Sequence, residues 1–228
     1  MIEALYTAAP AWAIQHAAPL LVMVPLFLAP MLALVPSGRI AWLISIIGTT
    51  ISFLFALILL YLVQTSPVGV VDYEIGRWPV PIGIEYRVDA LNAMILLVVT
   101  SIGLLASVFS WPTVAAEIRK EKRPFFYSAF MVCFAGLNGV TITGDAFNLF
   151  VFLEISSIST YVLVSLGAGR DRRALPAAFN YLIMGTIGAS FYIIGIGFLY
   201  AATGTLNMGD IASKLPELAG NRSVLAGF

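Results

Sequence analysis

Residues 146–169 read AFNLFVFLEISSISTYVLVSLGAG, an apolar run interrupted by one charge, Glu154. At about 1.5 Å per residue, some 20 helical residues cross a hydrocarbon core of about 30 Å, so this run is long enough to span a bilayer. Five more windows hold no Asp, Glu, Lys or Arg: 4–38, 40–71, 90–116, 124–144 and 174–209. Backbone groups facing lipid must be satisfied within the protein, which leaves helices and closed barrels. The apolar runs are continuous and do not alternate every second residue, which excludes barrel strands. The sequence therefore predicts an all-α membrane protein with six transmembrane helices, near 17–36, 40–63, 90–111, 125–143, 146–168 and 174–203.

Composition agrees, with 60% hydrophobic and 11% charged residues, the charges confined to the gaps between windows. A soluble domain is excluded. A cleavable signal peptide would compete for the first window, but its leading residues carry Glu3 and no Lys or Arg, so it reads as a retained helix. The net charge is zero, giving no electrostatic case for nucleic acid. Cys133 is the single cysteine, so no intrachain disulfide is expected. One His and one Cys, with no clustered intramembrane acids, offer no metal site. Nucleophile-elbow, P-loop and dinucleotide patterns are lacking too, so no cofactor and no enzymatic chemistry is expected of this chain.

Short loops on the cytoplasmic side retain Lys and Arg. Alternate loops here differ: Arg39, Arg119, Lys120, Lys122, Arg123, Arg170, Arg172 and Arg173 fall in one set, and only Arg77, Arg87, Lys214 and Arg222 in the other. The first set is assigned to the cytoplasm of a multi-pass cell-membrane protein, with both termini outside. In the outer loop at 70–88, Val71, Tyr73 and Ile75 alternate with Asp72 and Glu74, and Ile82, Ile84, Tyr86 and Val88 alternate again. That reads as a β-hairpin on the outer face, with a lid or packing role.

A carboxylate in mid-membrane costs about 2.5–3.5 kcal/mol on insertion scales and so calls for a function. Glu154 is nine residues from Asp145, roughly 13 Å deep and close to the midplane. Burial raises a carboxyl pKa and a nearby cation lowers it, so Glu154 is a candidate proton carrier, with a neutral packing role as the bland alternative. Phe147, Phe150, Val151, Ser157, Ile158 and Tyr161 share its helix face. Ser157 and Tyr161 could extend a relay or simply bond neighbouring helices. Asn138, Asn148, Ser159 and Asn180 read as interhelical glue, and the pairs Gly103/Ser107 and Gly185/Ala189 as close-packing sites. His16 reads as an interfacial histidine at the outer edge of the first span.

The stretch Thr143-Gly144-Asp145-Ala146-Phe147-Asn148-Leu149-Phe150-Val151-Phe152-Leu153-Glu154 resembles the antiporter-like membrane subunits shared by respiratory complex I and Mrp-type multisubunit Na⁺/H⁺ antiporters, with the D subunit of the Mrp type the nearest likeness. Residues 76–84 leading to Asp89-Ala90-Leu91, Asn180-Tyr181-Leu182, and 200–208 extend the likeness along nearly the whole chain. It implies that this chain is the first part of a bundle of about 14 helices with inverted five-helix repeats. Residues 1–124 would be the N-terminal helices with the hairpin, 125–203 the first three helices of a proton-translocating repeat, and 204–228 an outer tail leading to a further helix. The resemblance also implies that Glu154 pairs with a lysine on that next helix, which this sequence does not contain, so that Glu154 needs a cation from elsewhere.

Partners implied are other membrane subunits, the lipid bilayer, protons and Na⁺. The leading expectation is the D subunit, or its N-terminal part, of a multisubunit Na⁺/H⁺ antiporter. The alternatives are a proton-pumping subunit of a complex I or membrane-bound hydrogenase, whose redox chemistry sits in other subunits, and an assembly module without transport.

Overall fold

The computed structural model describes residues 6–218 and 220–228; Glu3 lies outside them. A short helix α1 (Ala11–Gln15) precedes six long ones: α2 (Ala17–Leu34), α3 (Gly38–Thr65), α4 (Ala90–Glu117), α5 (Arg123–Ile142), α6 (Ala146–Leu166) and α7 (Ala174–Thr203). These are the six expected spans. Their ends are set by local chemistry. At the start of α4 the Asn92 N–H donates to the Asp89 carboxylate at 2.8 Å, and the Asp89 N–H donates back to the Asn92 side chain. Asp145 caps α6, accepting from the Asn148 N–H at 2.7 Å. Helix α7 stops at Gly204, whose φ of 72° is left-handed.

Helices α2 to α5 form a packed body. Leu21, Val22, Leu59, Leu96 and Ile142 build one core, joined by Tyr86 and Val88 from the hairpin and by Phe152 from α6. Leu32, Ala41, Val114, Tyr127 and Met131 build a second. Small residues permit the approach: a Cβ on Gly103 would stand 2.4 Å from the Phe134 ring, and Ser107 Oγ meets Thr49 Oγ1 at 3.0 Å. The other predicted pair does not behave this way. A Cβ on Gly185 would reach only Ser157 Oγ, at 4.0 Å, which is no closer than ordinary contact.

The hairpin forms as strands β1 (Val71–Glu74) and β2 (Glu85–Val88), antiparallel with Val71 opposite Val88 and Glu74 opposite Glu85. The alternation read through Ile82 and Ile84 is not strand. There the Ile82 and Gly83 N–H groups turn back onto the Pro79 carbonyl at 3.1 and 2.9 Å, and Pro79 and Pro81 have no N–H to give a ladder. The hairpin is also more firmly seated than a lid. The Gly144 N–H donates to the Glu85 carbonyl at 3.0 Å, the Ala146 N–H to Leu206 at 2.8 Å, and the Met208 N–H to Gly144 at 2.9 Å. Hairpin, α5–α6 loop and the chain after α7 thus form one hydrogen-bonded seam. Beyond it, α8 (Met208–Lys214) and α9 (Arg222–Gly227) follow, and α9 returns along α7, with Gly195 facing the Gly227 carbonyl.

The two sets of loops lie at opposite ends of the bundle. Arg39, Lys120 and Arg123 gather at the end away from the hairpin, where Arg170 also pairs with Glu117 at 3.5 Å.

Candidate functional site

Helix α6 meets α5 through Phe152, Ser156 and Thr160. A Cβ on Gly139 would stand 2.3 Å from Phe152 and one on Gly136 2.8 Å from the Ser156 nitrogen, while Thr160 Oγ1 lies 3.4 Å from Cys133 Sγ. Glu154 is two residues from both Phe152 and Ser156, hence about 160° around the helix, and faces away from α5. It is half-buried where its depth in the span predicts burial, because α6 has protein packed mainly on its other side. Among the described residues it has no hydrogen-bond or ion-pair partner. Ser157 and Tyr161 follow on the same face, both half-buried, and Ser157 Oγ is turned towards Gly185 of α7. No hydrogen bond joins these three side chains among the described residues.

The polar residues read as interhelical glue take other roles. Asn138 is fully buried and neither of its side-chain polar atoms has a hydrogen-bond partner among the described residues. Ser159 bonds carbonyls of its own helix, Ile155 at 2.7 Å and Ser156 at 3.0 Å, and Asn180 is exposed. Asn148 works at the seam, donating to Thr143 Oγ1 at 3.0 Å and bonding Tyr86. His16 Nδ1 lies 2.8 Å from the Tyr73 hydroxyl, tying the start of α2 to the hairpin.

A second polar constellation sits in the seam. Glu85 is 5% exposed and Asp145 6%. The Asn207 amide donates to Glu85 Oε1 at 2.6 Å. Gly144 lies directly over that carboxyl, and a Cβ there would stand 2.9 Å from Glu85 Cγ. Burial pushes the Asp145 carboxyl above its usual range, although the N–H groups of Asn148 and Phe147 hold it down in part. Burial likewise pushes the Tyr86 phenol up to about 12, against the hydrogen bond from Asn148. A cleft of about 330 Å³ between Pro81, Ile82, Ile84 and Thr205 opens onto Asp145. Arg87, two residues from Glu85, pairs with Asp72 at 3.9 Å, and Lys214 pairs with Asp210 at 2.9 Å. Strand alternation puts Glu85 on the outward side of the hairpin, opposite Ile84 and Tyr86. It is buried because residues 143–145 and 204–208 cover that side, and only pairing between distant segments could reveal this.

Residues 143–228 match the family described as NADH:quinone oxidoreductase/Mrp antiporter, TM. The N subunit of the NADH-quinone oxidoreductase of Desulforudis audaxviator is 45% identical over 146 residues, 64% of this chain and 28% of that protein. The D subunit of the Na⁺/H⁺ antiporter of Bacillus subtilis is 34% identical over 197 residues, 86% of this chain and 38% of that protein. A chain of the membrane-bound sulfane sulfur reductase, an archaeal respiratory membrane complex, superposes with a TM-score of 0.81 at 30% identity, over 93% of this chain and 42% of that one. The chain thus spans between about a quarter and two-fifths of the length of these relatives. The resemblance in the α5–α6 segment, the six spans and the fold agree, and the chain belongs to the antiporter-like membrane-subunit family common to NADH:quinone oxidoreductases and Mrp antiporters.

Proposed function

We propose that this chain is the N-terminal part of a protein like the D subunit of a multisubunit Na⁺/H⁺ antiporter, and that Glu154 binds and releases the transported proton. The observation that carries this reading is a half-buried carboxylate in the middle of α6, on the face turned away from α5 and without a partner among the described residues. A carboxyl group in mid-span can exchange a proton as a cation approaches and withdraws. Ser157 and Tyr161, one and two turns further along the same face, are the proposed next steps towards the cytoplasmic end. The 34% identity to the Bacillus subtilis antiporter protein over 86% of this chain supports the antiporter setting.

A second reading places the chain in a respiratory complex, as a proton-pumping subunit whose redox chemistry lies in partner proteins. The 45% identity to an NADH-quinone oxidoreductase protein favours it. Both readings give Glu154 the same task. Glu154→Gln in the assembled complex is expected to abolish cation-dependent proton movement in everted vesicles. Undiminished exchange would rule out the proton role. An exchange supported by NADH or another reductant, and not by a Na⁺ gradient, selects the respiratory setting.

A further inference from the structure

At the end opposite the hairpin, a cavity of about 510 Å³ lies between Arg39, Trp111, Lys120, Arg123 and the Pro36–Gly38 turn. Its walls hold three cations and no carboxylate. The ion pairs among the described residues are Arg87–Asp72, Arg170–Glu117 and Lys214–Asp210, so none of the three cations is neutralised. Two of them are held in place. Arg123 donates from Nε to the Ile118 carbonyl at 3.1 Å and from Nη2 to Ala115 at 2.7 Å. The Arg39 and Arg123 guanidiniums both stack on Trp111, 5.7 and 5.8 Å from its ring. The Trp111 indole N–H itself makes no hydrogen bond among the described residues.

The cavity lies at the level where spans α3, α4 and α5 begin or end, the depth of lipid headgroups, where tryptophan is favoured. From it, the exposed side chains Ile40, Leu43 and Ile47 run down α3 at helical spacing as one apolar track. A cationic cup at headgroup depth above an apolar track fits a molecule with an anionic head and hydrocarbon tails.

We propose that this cavity binds the phosphodiester headgroup of an anionic phospholipid in the adjoining leaflet, with an acyl chain lying along Ile40, Leu43 and Ile47. Basic pockets between spans select such headgroups over zwitterionic ones by charge, and guanidinium forks suit a phosphodiester's paired oxygens.

Native mass spectrometry of the detergent-purified protein titrated with phosphatidylglycerol and with phosphatidylcholine of the same acyl chains tests this. Phosphatidylglycerol adducts should form at roughly tenfold lower lipid, and the double variant Arg39→Gln/Lys120→Gln should remove that preference while leaving phosphatidylcholine adducts unchanged. If the double variant does not fold, Lys120→Gln alone, at an exposed position, should lower the preference about threefold. Equal binding of the two lipids overturns the proposal, as does a preference that the variants leave intact. Displacement of phosphatidylglycerol by millimolar inorganic phosphate would also overturn it, assigning the cup to a soluble anion.

Discussion

In α2 and α5, 44% of the most apolar 18-residue stretch is buried against the rest of the chain, whereas in α6 and α7 only 11% is. The mean hydropathies overlap, 2.2 and 1.6 in the first pair and 1.9 in both of the second. Affinity for the bilayer therefore does not separate these regions, and contact with protein does. Lipid tails solvate an apolar side chain as well as another helix does, so spans associate through close packing and polar contacts. The body has such packing at Gly48, Gly103 and the Thr49–Ser107 pair. The α6–α7 pair is attached to it along one side of α6, where Phe152, Ser156 and Thr160 meet α5, and by the hydrogen-bonded seam at the hairpin end. Glu154 belongs to the sparsely covered region, which is why it is half-buried and has no partner among the described residues.

Phe152→Ala should strike hardest at this difference, since it empties the α6 side chain that enters the body's core. With the water-transfer part of a Phe→Ala cost absent in lipid, the packing part leaves about 2 kcal/mol. Phe191→Ala on α7, where the ring is 74% exposed, should stay within about 0.5 kcal/mol. Thermal unfolding in detergent compares them directly, and equal shifts would break the contrast between body and pair.

Asn207→Ala comes next. It removes the 2.6 Å donor to Glu85 and the cap that accepts from the Asp210 N–H, a loss of about 1–2 kcal/mol. The damage should be local. Hydrogen exchange at Ala146 and Met208 is expected to quicken while α2 to α5 keep their protection, and uniform quickening would mean that the seam supports the whole bundle.

The smallest effect is expected from pH. The Asp145 carboxyl titrates above its usual 3.8 in the folded protein. Below that value both folded and unfolded states are protonated; as pH rises through the raised pKa, the folded state must ionise a buried group and stability falls. Asn is an equally good helix cap, so Asp145→Asn should match the parent at pH 4 and exceed it at pH 7 in unfolding temperature. A variant that gains at pH 4 instead would reverse the assigned sign.

Much of the fold was legible from residue order. The five charge-free windows and the run around Glu154 located all six helices to within a few residues, except that α4 runs on to Glu117, six residues past its expected end, and carries Pro112 within it. The hairpin's position followed from alternation, though not where its second strand begins. The place of Glu154 in the middle of α6 followed from counting. Its surroundings did not, because the face a helix turns to its neighbours is invisible when polar and apolar side chains are spread evenly around it, as they are in α6. For the same reason Asn138, Ser159 and Asn180, similar in sequence context, end respectively buried without a partner among the described residues, bonded to their own helix, and exposed.

Residue order alone settles that this is a helical membrane protein, where its spans run, which loops share an end, and that one carboxylate falls in the middle of a span, because transfer into lipid acts on each residue locally and adds along the chain. Three-dimensional packing was needed to bring Glu85, Asp145 and Asn207 into a buried seam, to close Arg39, Lys120 and Arg123 into one cup around Trp111, and to turn Glu154 away from α5. Those outcomes depend on contacts between residues up to 122 positions apart, and no local property of the sequence encodes them.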